Sequence, residues 1–71
     1  MTDIEIYTET IQLDQFLKLA GAIPSGGMVK ELIAAGAILR NGAVETARRR
    51  KLVAGDIIAV DGSDTYRVIR A

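Results

Sequence analysis

The chain of 71 residues has no cysteine, histidine or tryptophan, and its only aromatic side chains are those of Tyr7, Phe16 and Tyr66. The absence of cysteine and histidine excludes disulfides, thiolate nucleophiles, imidazole bases and the usual zinc ligands. The carboxylates do not occur at a spacing that suggests general acid–base chemistry. We therefore expect a protein that is not an enzyme and that uses no metal, cofactor or small-molecule substrate.

Long apolar runs are also missing. No stretch approaches the ~18 consecutive apolar residues of a membrane-spanning helix, and the acidic opening MTDIEIYTET lacks the pattern of a signal peptide. We therefore expect a cytoplasmic protein with no membrane partner. The apolar fraction of 49% is sufficient for a packed core, and the length allows one domain, residues 1–71.

The formal net charge is zero, but the charges are unevenly distributed along the chain. Residues 1–14 carry a net charge of −4, whereas residues 40–51 carry +4. The basic segment contains Arg40 and an unbroken run of four cations, Arg48, Arg49, Arg50 and Lys51. This asymmetry indicates a polyanionic partner.

Two helices are predicted in the first half of the chain. Apolar residues recur at helical spacing from Leu13 onwards, which predicts a helix near residues 11–20 with Thr10 as its N-cap. A second helix near residues 26–35 would begin after Ser25 and end before Gly36, and its apolar face would consist of Met28, Val29, Leu32 and Ile33.

Strands are predicted on both sides of the helices. Apolar and polar residues alternate in DIEIYT (residues 3–8), and Asn41-Gly42 between two short apolar runs predicts a two-residue hairpin. IIAV (residues 57–60) and TYRVI (residues 65–69) have the length and composition of strands. Together these elements predict an α+β fold in which two packed helices cover a small, mostly antiparallel sheet.

The basic run follows the predicted hairpin and should form an exposed loop, because four successive charges in a strand would place two of them in the core. One interpretation is that the run forms a solvated loop whose charges only increase solubility. Two features favour a phosphate partner: the run contains no acidic residue, and arginine binds phosphate through a planar fork of donors. Arg40 would add its charge to the same side of the molecule.

SGGMVK, residues 25–30, is a second candidate site. Ser25 and the free N–H groups of the first helical turn could bind an anion, Gly27 would allow it to approach the backbone, and Lys30 could reach it. By itself the segment is more typical of an ordinary helix start, and it matches neither of the common glycine-rich nucleotide-binding motifs.

In order along the chain, these segments resemble the RNA-binding domain first described in ribosomal protein S-four, and the match covers about residues 12–62. The family pattern is a helix opening R-L-D-x-x-L, a second helix opening with Ser and ending I-x-x-G, a strand with V-N-G, and a closing G-D-x-I. The matching positions here are Leu13, Asp14, Leu17, Ser25, Leu32, Ile33, Gly36, Ile38, Asn41, Gly42, Gly55, Asp56 and Ile58. The short chain is most similar to the stand-alone bacterial members.

The resemblance implies the alpha-L motif and a non-catalytic RNA-binding protein, with ribosomal RNA or tRNA as candidate partners. The RNA contacts implied by the family are Ser25, Lys30, Arg40, Asn41, Arg48, Arg49, Arg50 and Lys51, and Gly27 is added from the residues alone. Many family members have arginine directly after the serine of the second helix, whereas this chain has Gly26. The basic loop should therefore carry more of the binding, mainly to the shape and phosphates of structured RNA. The alternative is a small protein-interaction module whose basic loop binds an acidic partner.

Overall fold

The computed structural model describes residues 1–25 and 27–71 in full, and of Gly26 only its position as the first residue of a helix. Two helices, α1 (Leu13–Leu19) and α2 (Gly26–Ala34), follow two strands, β1 (Thr2–Ile6) and β2 (Ile11–Gln12). Five strands complete the described chain: β3 (Ile38–Arg40), β4 (Ala43–Val44), β5 (Lys51–Leu52), β6 (Ile57–Val60) and β7 (Thr65–Arg70). The α+β fold class is confirmed. The short strands β2 and β5 were not predicted.

The main sheet has five strands in the order β1-β7-β6-β3-β4. Its neighbouring strands are antiparallel except at one edge, where β1 lies parallel to β7. A parallel pair requires a long connection, and here residues 7–64 provide it, so the first and the last strand of the chain pair at this edge of the sheet. β2 and β5 form a separate antiparallel pair in which Gln12 lies opposite Lys51.

The core lies between one face of the sheet and the two helices. Alternate residues of β6 and β7 face it, so Ile58, Val60, Tyr66 and Val68 are buried. The helices contribute Leu13, Phe16, Leu17 and Val29, none of which has accessible surface. The predicted apolar face of α2 is only partly correct, because Met28 is 39% exposed and Leu32 and Ile33 pack at the margin of the core.

The helix boundaries differ from the prediction at the start of α1. Thr10 is not its N-cap, because Ile11 and Gln12 are paired as a strand and the helix begins at Leu13 after Gln12. The N-cap of α2 is Ser25 as predicted, although its side chain makes no capping hydrogen bond. Neither helix in the described chain has the length and apolar character required to cross a bilayer.

The Asn41-Gly42 hairpin is confirmed. Arg40 pairs with Ala43 across a two-residue loop, and φ is 53° at Asn41 and 86° at Gly42. Positive φ at both positions is what a type I′ turn requires, and asparagine and glycine adopt it most readily. This hairpin leads the chain directly into the basic segment.

Candidate nucleic-acid interface

The basic run begins in a tight turn formed by residues 47–50, called here the basic turn. The backbone N–H of Arg50 donates to the carbonyl of Ala47 at 3.1 Å, which closes the turn. Arg48 and Arg49 occupy its two central positions, and Lys51 begins strand β5. The prediction of an exposed loop is therefore correct for the three arginines, but Lys51 belongs to a strand with its side chain exposed.

The backbone of the basic turn is attached to the start of α1. The N–H of Leu13 donates to the carbonyl of Arg50 at 2.9 Å, and the N–H of Asp14 donates to the carbonyl of Arg48 at 3.1 Å. These are N–H groups that a helix start cannot satisfy within itself. Carbonyl groups of the basic turn thus accept the hydrogen bonds of the helix start, which was the predicted role of Thr10. The same bonds fix the turn against α1.

A buried carboxylate, that of Glu45, holds the turn from the other side. Its side chain is 2% exposed and accepts hydrogen bonds from Nε of Arg40 and Nε of Arg50, both at 2.9 Å. A second donor of Arg50, Nη2, reaches the other carboxylate oxygen at 3.2 Å. The backbone N–H groups of Thr46 and Ala47 donate to that same oxygen at 2.9 and 3.0 Å. Five donors from two side chains and the backbone therefore converge on one carboxylate.

The electrostatics of Glu45 follow from these contacts. Burial by itself would raise the pKa of a carboxyl group, but the donors from Arg50, Ala47, Arg40 and Thr46 outweigh it and lower the pKa of Glu45 to about 2. The same contact with Glu45 raises the pKa of Arg50. The pair of Glu45 and Arg50 is therefore fully charged at neutral pH.

Sequence reasoning did not identify Glu45, which entered only as one negative charge within a basic segment. Its position carries a signal, since it lies five residues after Arg40 and five before Arg50. A lone carboxylate at that spacing in a hairpin and turn can bind both arginines. Arg40 and Arg50 were predicted as RNA contacts, and the structure shows that one donor of Arg40 and two donors of Arg50 are bound to Glu45 inside the protein.

Asn41, another predicted contact, also has internal partners. Its Nδ2 donates to Oδ1 of Asp56 at 3.0 Å, and its Oδ1 accepts from the N–H of Ile57 at 2.9 Å. Asp56 is buried, and its other oxygen accepts from the N–H of Val53 at 2.9 Å. The hairpin loop is thereby fixed to the start of β6, which gives the Asn-Gly and Gly-Asp motifs a structural role.

The other cations predicted to contact RNA have no such partners. Within the fully described residues, the side chains of Arg48, Arg49, Lys51 and Lys30 are exposed and make no hydrogen bond or ion pair. Three of them, Arg48, Arg49 and Lys51, lie within the four-residue basic run, in which Arg50 is the residue bound to Glu45. Of the predicted RNA contacts, these four cations are the ones whose charge no carboxylate within the described residues compensates.

The start of α2 presents the second candidate site. Ser25 and Gly27 are exposed, and Ser25 uses its carbonyl, which accepts from the N–H of Met28 at 3.3 Å. The Ser25 hydroxyl lies close to Gly27, since a Cβ placed on that glycine would be 3.8 Å from the oxygen. The exposed Ser25 hydroxyl and the exposed Lys30, one turn later, are suitable donors for a phosphate.

Tyr7 and Tyr66 have different environments. Tyr66 is 7% exposed and packs in the core, whereas Tyr7 follows β1 and is 78% exposed. Only Tyr7 could stack on an unpaired base without rearrangement of the core. The described residues contain no group of three or more acidic side chains close enough to hold a metal ion.

Comparison with known proteins gives one consistent family. The model of the S4 domain matches residues 4–69. A protein of Bacillus subtilis named "Probable ribosome maturation protein RlbA" is 42% identical over 66 residues, which cover 93% of both chains. YbcJ of Escherichia coli is 42% identical over 52 residues, 73% of this chain and 74% of YbcJ. The solution structure of YbcJ, described as revealing an alfaL motif involved in RNA-binding, matches with a TM-score of 0.73 at 33% identity over 97% of this chain and 87% of that one.

Proposed function

The chain belongs to the S4 domain family, and we propose that it is a non-catalytic RNA-binding protein that places its basic turn and the start of α2 on the phosphates of structured RNA. The observation that carries this proposal is the pair Arg48 and Arg49. Both are exposed on a turn whose backbone is fixed at both ends, and neither has a partner within the described residues.

The proposed contacts differ in kind. Arg48, Arg49, Lys51 and Lys30 supply charge, whereas Ser25 and Gly27 supply neutral donors and close approach at the start of α2. Arg40 and Arg50 face RNA only with the donors that Glu45 leaves unused, and Asn41 mainly holds the hairpin in place. Shape and phosphate recognition suit this set, because A-form RNA hides its base edges in a deep groove.

Ribosomal RNA is the partner that we favour over tRNA. The support is the name of the Bacillus subtilis relative, which describes ribosome maturation and which matches nearly the whole chain. We place the activity in the cytoplasm. A small protein-interaction module that binds an acidic partner is the alternative, and the family match favours RNA over it.

The test is a titration of the purified protein with an RNA hairpin, an unstructured oligoribonucleotide of equal length and a DNA duplex, at about 50 mM salt where phosphate contacts are strong. We expect the hairpin to bind most tightly and inorganic polyphosphate to displace it. Crosslinking in cells followed by sequencing should recover ribosomal RNA. No binding to any of the three nucleic acids, with retained binding to an acidic protein in the presence of polyphosphate, would establish the alternative.

A further inference from the structure

Glu45 presents a contradiction for an RNA-binding segment. It puts a negative charge, ionised at neutral pH, beside the most basic part of the chain, where a phosphate ligand would be repelled by it. A carboxylate that only filled space could be replaced by an apolar side chain. Glu45 is instead almost completely buried and accepts five hydrogen bonds, which indicates a geometric role for its carboxylate.

We propose that Glu45 is a positioning residue for RNA binding: it presets the conformation of the basic turn so that Arg48 and Arg49 are presented to phosphates. The inference rests on the proposed function, and it assigns to an acidic residue a favourable effect on the binding of a polyanion. Glu45 itself does not contact RNA.

The contacts explain how one carboxylate sets the turn. Glu45 binds the N–H groups of Thr46 and Ala47, where the chain enters the turn, and the side chain of Arg50, where the chain leaves it. The carbonyls of Arg48 and Arg50 are meanwhile held by N–H groups of α1. Both ends and the backbone of the turn are thus fixed, while the two central residues, Arg48 and Arg49, are exposed.

The energetic benefit is preorganisation. A loop that is already ordered loses less conformational entropy on binding than one that must be ordered by the ligand. The hydrogen bonds that Glu45 accepts from Arg40, Arg50, Thr46 and Ala47 are called the clamp. Because Arg50 is part of the clamp, it should affect RNA binding mainly through the conformation of the turn.

Substitution Glu45→Gln gives a test with a distinctive sign. Glutamine has nearly the same shape as glutamate, but its N–H₂ group would face the N–H donors that the carboxylate accepts, so the clamp should open. If charge alone determined affinity, the loss of one negative charge would instead strengthen binding to a polyanion. We expect instead about tenfold weaker binding to the RNA hairpin. The matched control is Asp3→Asn, which removes one negative charge from an exposed pair with Arg67 on β7 and should leave affinity equal or slightly higher.

A double-mutant cycle separates positioning from general destabilisation. If Glu45 acts through the central arginines, its substitution should have little further effect on binding in the Arg48→Ala/Arg49→Ala background. An equal loss of affinity in both backgrounds would contradict the proposal. Arg50→Lys offers a second route should Glu45→Gln not fold, because it keeps the charge but loses the fork; we expect weaker binding there as well, again only when Arg48 and Arg49 are present.

Amide hydrogen exchange of the RNA-free protein supplies the readout that is independent of binding. Glu45→Gln should accelerate exchange at Thr46, Ala47 and Arg50 more than elsewhere, and Asp3→Asn should not. A parent protein that binds no RNA would overturn the proposed function and this inference together. A parent that binds, with affinity unchanged or increased in both Glu45→Gln and Arg50→Lys, would overturn this inference alone.

Discussion

The backbone N–H of Leu13 donates to the carbonyl of Arg50 at 2.9 Å, so the first residue of α1 is satisfied by the last residue of the basic turn. The contact joins a helix start to a segment 37 positions later in the numbering. It uses main-chain atoms of the turn, which leaves the side chains of Arg48 and Arg49 available. Under the proposed function, RNA binding would use the side chains of Arg48 and Arg49, whereas this contact stabilises the fold through the main chain, so substitutions should separate the two effects.

Replacement of both Arg48 and Arg49 by alanine should leave the stability of the fold nearly unchanged, within about 0.5 kcal/mol, because neither side chain has a partner within the described residues. The carbonyl of Arg48 that accepts from Asp14 is retained in the variant. Thermal and urea unfolding of the parent and the variant measure this. A large drop in the midpoint would mean that these side chains stabilise the turn.

Arg50→Ala should behave differently from its two neighbours. It removes two of the five donors from a buried carboxylate, and a buried polar group that loses partners costs about 1 to 3 kcal/mol. The free energy of unfolding should fall by that amount, with Arg50→Lys intermediate because lysine keeps the charge but not the fork. Equal stability of Arg50→Ala and the Arg48/Arg49 variant would contradict the role of Arg50 in the clamp.

Lys51 and Leu52 provide a matched pair on the two-residue strand β5. Lys51 is exposed and Leu52 has no accessible surface, so their side chains lie on opposite sides of the strand. Leu52→Ala should destabilise the protein by about 2 to 5 kcal/mol. Lys51→Ala should leave unfolding unchanged and weaken RNA binding at low salt. A loss of stability in Lys51→Ala, or an unchanged stability in Leu52→Ala, would contradict the exposed position of Lys51 and the buried position of Leu52.

The pH dependence of stability should report Glu45. Its pKa falls from the ordinary 4.5 to about 2 in the folded protein, so its contribution is present in full above about pH 4.5 and is lost as the pH falls towards 2. A shift of this size corresponds to about 3 kcal/mol. Asp3 and Asp64 also have lowered pKa values, through hydrogen bonds from Arg67 and Thr2 respectively, and act in the same direction.

The contribution of Glu45 to the pH dependence of stability is obtained by comparing the parent with the Glu45→Gln variant. The gap in unfolding free energy between the parent and Glu45→Gln should be constant from pH 7 to 5 and should narrow between about 4.5 and 2. Because Asp3 and Asp64 are present in both proteins, their titration cancels. A gap that does not change with pH would mean that the carboxylate charge is not what holds the turn.

The sequence alone predicted the parts of the fold that depend on local patterns. Periodicity located both helices, and Asn41-Gly42 located the hairpin, because φ above zero at two successive positions restricts the residues that fit. The pairing of β2 with β5 could not be predicted, since each has two residues and exists only because α1 and the basic turn meet. The parallel contact of β1 with β7 likewise joins the two ends of the chain and leaves no local signal.

The candidate site was predicted as a set of charges, without their partners. A run of cations can be read from the sequence, but which of them is neutralised depends on a carboxylate that folding brings between Arg40 and Arg50. The same limit applies to Asn41, whose amide was expected to face RNA and is engaged by Asp56 and Ile57. Side-chain pairing across a hairpin is a tertiary property.

The most direct test of RNA binding through the basic turn is the salt dependence of binding by the parent and by the Arg48→Ala/Arg49→Ala variant. With about four phosphates neutralised by Arg48, Arg49, Lys51 and Lys30, log K should fall against log salt with a slope of roughly −3 to −4 in the parent. The variant should bind all structured RNAs more weakly and show a slope flatter by about 2, since contacts to phosphate position the protein without reading sequence. An unchanged affinity and slope in a folded variant would contradict the account and place the RNA-binding surface on another part of the molecule.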